Sequence, residues 1–133
     1  MDTQEKIKIR KAKRILIAED ERPLAKVLLL KLTKAGFEVV IVCNGEEALD
    51  KITTEKFDLI LLDLVMPNIS GFGVLTKMKE LGNNTPVIVL SNLSQEGDEI
   101  KAKNLGAEDF FVKSNTPISE IVKHVQKTLA VGK

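Results

Sequence analysis

At 133 residues the chain has room for one domain with a proper core and little beyond it. Hydrophobic residues at 44% and charged residues at 29% are ordinary for a globular protein, and a net charge of +1 gives no global attraction to nucleic acid or anionic membranes. The one cysteine, Cys43, excludes an internal disulfide and suits a reducing compartment, and no apolar stretch approaches the roughly 18 residues of a membrane span.

Residues 1–13 come first, polar and mostly charged, without the apolar middle of a secretory signal, so a cytoplasmic chain is expected. Lys6, Lys8, Arg10, Lys11 and Lys13, with Arg14, make this arm basic. It reads as a flexible or loosely helical extension, and a solvated tail outweighs a contact with nucleic acid or an acidic partner. Ile15-Leu16-Ile17-Ala18 follows as the first apolar run. Leu24, Leu28, Leu32 and Ala35 then share one helical face, stopped by Gly36. Val39-Val40-Ile41-Val42 is the second run, and Asn44 caps a short helix with Ala48, Leu49 and Ile52 inward. Leu59-Ile60-Leu61-Leu62 is the third run; Ser70 caps a helix that turns Leu75, Met78 and Phe72 inward. Val87-Ile88-Val89-Leu90 precedes a helix from about Ser94 to Leu105, ended by Gly106. Phe110-Phe111-Val112 is a shorter fifth run. Last, Ile118, Ile121, Val122, Val125 and Leu129 line one face of a helix after Pro117.

Runs that are continuous rather than alternating suit strands covered on both faces, as in a parallel sheet. Strand and helix alternate five times, which predicts an α/β domain over residues 14–131 with helices on both faces of a five-stranded parallel sheet. Sheets of this doubly wound, flavodoxin-like kind run 2-1-3-4-5 and bind ligands at the carboxyl ends of their strands. The residues following each strand are therefore the candidates. They are Glu19-Asp20-Glu21 after the first, Asp63 after the third, Ser91-Asn92 after the fourth and Lys113 after the fifth. Crowded carboxylates repel, and either bind a proton or recruit a cation. A few hard oxygen ligands suit Mg²⁺, and a carboxylate, a metal and a lysine together make a place for a phosphoryl group. Asp63 is the sharpest of these residues, because a charge abutting Leu59-Ile60-Leu61-Leu62 is costly to bury without a partner.

Taken in order, Ile15-Leu16-Ile17-Ala18-Glu19-Asp20-Glu21 and Leu61-Leu62-Asp63-Leu64-Val65-Met66-Pro67-Asn68 resemble the signatures of response-regulator receiver domains. Gly71, Ser91 and the stretch from Gly106-Ala107 to Phe110-Phe111-Val112-Lys113 resemble them too, over residues 14–131. The resemblance implies a stand-alone phosphorylated switch of a two-component system, without an output domain and without an enzyme's turnover. It implies Asp63 as phosphoacceptor and Glu19, Asp20, Asp63 and the Val65 carbonyl as the Mg²⁺ shell. Ser91 would be the switch hydroxyl, Lys113 the balancing cation and Phe110 the switch aromatic that turns inward. The implied partners are a histidine kinase or phosphotransfer protein and a downstream protein read by the fourth helix, fifth strand and fifth helix, with a phosphorylation-linked homodimer in reach.

Two positions depart from the pattern. Ser114 follows Lys113 where such domains usually have proline in a cis bond, so a trans bond or an adjusted loop is expected. Asn92 stands where a smaller residue is common, able to crowd the phosphate or add a donor. Apolar Val65 and Leu93 imply slow self-dephosphorylation. His124 reads as a solvated side chain, and Met66, Met78 and Phe111 as packing residues. Other ligand-binding classes on a similar sheet fit poorly: the first loop has neither a glycine-rich phosphate cradle nor an Asp-x-Asp nucleophile. The remaining alternative is a phosphorylation-independent protein-binding module of the same fold.

Overall fold

The computed structural model describes residues 12–92 and 96–130. The basic arm's reading for residues 1–11, and those made for Leu93 and Ser94, lie outside them. Strand and helix alternate as β1 (Arg14–Ala18), α1 (Arg22–Lys34), β2 (Glu38–Val42), α2 (Gly45–Thr54), β3 (Leu59–Leu62), α3 (Gly71–Glu80), β4 (Val87–Ser91), α4 (Glu96–Asn104), β5 (Asp109–Val112) and α5 (Ile118–Ala130). A single 3₁₀ turn, Lys113–Asn115, joins β5 to α5. All five strands are parallel, in the order β2-β1-β3-β4-β5. This is the flavodoxin-like arrangement expected from the sequence.

The apolar runs are continuous because consecutive residues feed two different cores. Leu16 and Ala18 of β1 join Ile60, Leu62, Val87, Val89 and Phe110 on the face covered by α2, α3 and α4. Ile15 and Ile17 join Leu59, Leu61, Ile88 and Leu90 on the other face, against Leu28 and Leu32 of α1 and Ile121 and Val125 of α5. The two edge strands are less covered: four of the five residues of β2 and three of the four of β5 are not fully buried.

Helix ends follow local chemistry. The Asn44 side chain accepts from the Glu47 N–H at 2.8 Å, and the Ser70 hydroxyl from the Gly73 N–H at 3.2 Å. Gly36 and Gly106 take positive φ beyond α1 and α4, where a side chain would be strained. The register pairs Ala18 with Val42 and with Leu62, Leu62 with Val89, and Ser91 with Val112, so the loops after all five strands open along one rim.

Candidate functional site

Glu19 and Asp63 continue the sheet for one more backbone step. The Glu19 N–H donates to the Val42 carbonyl and the Asp63 N–H to the Ala18 carbonyl, each at 3.0 Å. Both side chains are thereby carried below the surface, at 2% and 4% exposure. The loop after Asp63 is pinned at several points. Leu64 and Met66 are buried, the Val65 N–H donates to Asp63 Oδ1 at 3.2 Å, and Gly71 N–H donates to the Leu64 carbonyl. Asn68 takes a φ of 72°, a conformation its short amide tolerates better than most side chains do. Gly71 opens α3 directly against this loop, where a Cβ would overlap the Asp63 carbonyl oxygen.

Lys113 reaches into the same place from the end of β5. Its Nζ donates to Glu19 Oε2 at 2.9 Å, to Asp63 Oδ2 at 3.0 Å and to Glu21 Oε2 at 3.0 Å. The Glu21 N–H also donates to Glu19 Oε2, at 2.9 Å. Burial pushes the Glu19 carboxyl up to about 7; the Lys113 and Glu21 hydrogen bonds offset part of that, and the nearby Asp63 charge adds to it. Burial by itself would lower the Lys113 ammonium, but its bonds to Glu19, Glu21 and Asp63 outweigh this and hold it above the ordinary lysine range. Lys113 therefore stays charged.

Glu19, Asp20 and Asp63 each offer a carboxylate oxygen within 4.8 Å of the others. Asp20 is exposed while the other two are buried. One ammonium shared among this many acids leaves negative charge uncompensated, and the donor set is all hard oxygen. These residues fit a small divalent cation such as Mg²⁺.

The structure brings together Glu19, Asp20, Asp63 and Lys113, all anticipated. Val65 lies in the Asp63 loop, 55% exposed. Ser91 ends β4 fully buried. Phe110 sits on β5 in the core, 8% exposed. No cis peptide occurs among the described residues, and the Lys113–Ser114 bond is trans as expected.

Four contacts escaped the sequence reading. Glu21, counted there only among the acids of its loop, is the third acceptor for Lys113. Asn92 and Ser114, noted separately as departures, meet: the Ser114 N–H donates to Asn92 Oδ1 at 3.0 Å. Arg14, counted with the basic arm, opens β1 and is bound to Glu38 and Glu55. His124, read as solvated, instead lies 2.8 Å from Asp109 Oδ2 through Nε2, with its ring edge-on to Phe111 at 5.0 Å. The one hint for the last was that His124 follows Ile121 by three residues and precedes Val125 by one, both of them buried.

The comparisons with known proteins agree with this fold. The family described as "Response regulator receiver domain" matches residues 15–126. A "Probable transcriptional regulator ycf27" of Cyanidium caldarium is 37% identical over 115 residues, covering 86% of this chain and 45% of that one. The chain thus spans about half the length of the curated relatives it matches. Among solved structures, a Francisella response regulator receiver domain superposes with a TM-score of 0.85 at 29% identity, covering 91% of this chain and 99% of that one. The phosphorylated cyanobacterial phytochrome response regulator RcpA does so with a TM-score of 0.79 at 29% identity, covering 92% and 96%. No helix among the described residues is long and apolar enough to cross a membrane. With the family matched over residues 15–126, from β1 into α5, the chain belongs to the response regulator receiver domains of two-component signalling.

Proposed function

We propose that this chain is a phosphorylation-controlled switch in which Asp63 accepts the phosphoryl group. One observation carries the reading: the Lys113 ammonium bridges buried Asp63 and buried Glu19, with Asp20 alongside. A nucleophile, a cation and a set of metal-binding oxygens then share one small, partly dry rim.

An Asp63 carboxylate oxygen attacks the phosphorus of a phosphohistidine or a small phosphodonor. The bond from phosphorus to the donor breaks, its electron pair leaves with the donor, and an acyl phosphate remains on Asp63. Asp20, Asp63, the Val65 carbonyl and Glu19 would hold Mg²⁺, which would supply positive charge against the phosphoryl oxygens. Lys113 exchanges a carboxylate contact for a phosphoryl oxygen. The Ser91 hydroxyl donates to another, and Phe110 on the adjoining strand carries the change to the surface of α4, β5 and α5. The donor is a histidine kinase or phosphotransfer protein, and the product is altered binding of a downstream protein, or a homodimer, in the cytoplasm. The chain is a phosphoacceptor that assists its own phosphorylation and, slowly, its dephosphorylation.

Incubation with Mg²⁺ and acetyl phosphate, followed by intact-mass measurement, tests this. The expected result is a gain of one phosphoryl group that Asp63→Asn abolishes. A chain that is unlabelled and gives no response to beryllofluoride is instead a phosphorylation-independent binding module.

A further inference from the structure

Asn92 directly follows Ser91, and Ser114 directly follows Lys113. The hydrogen bond from the Ser114 N–H to Asn92 Oδ1 therefore joins the chain just beyond Ser91 to the chain just beyond Lys113, across 22 residues of sequence. Its position matters because β5 is an edge strand of only four residues, paired on one side alone, to β4. The 3₁₀ turn that carries Lys113 leaves from that edge. Two other hydrogen bonds of the turn stay within the same segment, from Thr116 Oγ1 to the Val112 carbonyl at 2.8 Å and from the Thr116 N–H to the Lys113 carbonyl at 3.5 Å. Those bonds shape the turn without attaching it to a neighbouring segment. Apart from the Lys113 side chain itself, Asn92 ties the turn to a neighbouring segment through its backbone, and it needs a residue with an N–H after Lys113.

We propose that Asn92 is a positioning residue, and that its bond to the Ser114 N–H is a strap that fixes the backbone under Lys113 relative to Ser91. The inference rests on the reading of Asp63 as phosphoacceptor. In the resting state the Lys113 ammonium is held by three carboxylates, so its aim is set by the side chain. Once it leaves Glu19 and Glu21 for a phosphoryl oxygen, that restraint is weakened and the backbone must hold the aim. With the strap in place, the ammonium and the Ser91 hydroxyl close on the phosphoryl group from fixed starting points. Without it the turn samples more positions, and fewer of them are productive.

The test uses the full chain, with Asn92→Ala, Ser114→Pro and the double variant. Ser114→Pro removes the donor and Asn92→Ala the acceptor. Initial rates of Mg²⁺-dependent labelling by acetyl phosphate are expected to fall roughly three- to tenfold in each single variant, the range of one hydrogen bond. In the Ser114→Pro background, Asn92→Ala is expected to add less than about twofold, because the bond is already gone. Amide NMR titrations supply a second readout. Beryllofluoride, a phosphoryl mimic that engages Lys113, should bind more weakly to Asn92→Ala, while Mg²⁺ alone, which needs only the acidic residues, should bind as before. Equal weakening of both would mean general damage to the site and would overturn the strap. So would labelling of Asn92→Ala at the native rate, or full multiplication of the two losses in the double variant. If the native chain itself is not labelled, the phosphoacceptor reading fails first, and the strap with it.

Discussion

At the amino-terminal rim of the sheet the Arg14 guanidinium donates to Glu38 at 3.0 Å, to Glu55 at 2.8 Å and to the Lys56 carbonyl at 2.9 Å, and stacks over Phe57 at 4.7 Å; at the carboxyl rim Lys113 is shared by Glu19, Glu21 and Asp63. Both rims set a basic side chain among several acids, yet they behave differently. Glu55 has a second cation, Lys51, at 2.8 Å, and its hydrogen bonds to Lys51 and Arg14 hold it below the ordinary carboxylate range. Its charge is matched and hydrated, so the cluster clasps β1, β2 and the end of α2 and has no need of a ligand. At the other rim Glu19 and Asp63 are buried, Asp20 crowds them, and Glu19 is pushed up to about 7. Buried charge left unmatched is costly, and it invites a cation or a chemical change.

The largest expected effect separates the rims directly. Lys113→Ala should lower the rate of acetyl phosphate labelling roughly 100-fold, the scale of losing one group that stabilises transition-state charge. Arg14→Ala should leave that rate within about twofold and shift the thermal midpoint by only a few degrees. If both variants label at the native rate, the rims do not differ in kind.

Next comes Gly71, which lets α3 close on the Asp63 loop without a Cβ in the way. Gly71→Ala should cost about 1–3 kcal/mol in urea unfolding, as overpacking does, and should slow labelling by moving Asp63. An alanine variant as stable as the native chain would mean that the loop yields freely.

The smallest effect concerns pH. Folding raises Glu19 to about 7 from an ordinary value of 4.5. The folded state keeps a proton that the unfolded chain releases, so this contribution to stability is fully present below the unfolded value and is lost as pH rises to about 7. Without Mg²⁺, the native chain should therefore lose stability relative to Glu19→Gln between about pH 5 and 7, and the difference should flatten above that. Mg²⁺ requires the ionised acid, so its affinity should rise over the same interval. Denaturant midpoints and Mg²⁺ titrations at several pH values check both. A stability difference that grows in favour of the native chain across that range would contradict the assignment of Glu19.

Much of this was legible from the residues alone. Continuous runs such as Leu59–Leu62 announce a strand that feeds two cores, and the strand ends then name Glu19, Asp20, Asp63 and Lys113. The same logic overstated the burial of β2, because an apolar run does not say whether its strand lies inside a sheet or at its edge. The missed contacts share another cause. Lys113 to Glu21, Ser114 to Asn92 and Arg14 to Glu55 join residues 92, 22 and 41 positions apart, and depend on where long or amide side chains point. His124 was assigned to solvent by its lysine neighbours, whereas the half-turn between Lys123 and Val125 brings its ring edge to Phe111 and its Nε2 to Asp109. Composition carries no record of such pairings; the register of β4 and β5 and the packing of α5 create them.

The most direct measurement is the position of the phosphoryl group. After labelling with acetyl phosphate and Mg²⁺, borohydride reduces an aspartyl phosphate to homoserine, and peptide mass spectrometry locates the converted residue. The expected result is conversion at position 63 alone, lost when Mg²⁺ is withheld. Conversion at Asp20 or another acid, or no conversion at all, would contradict the assignment of Asp63 as the phosphoacceptor.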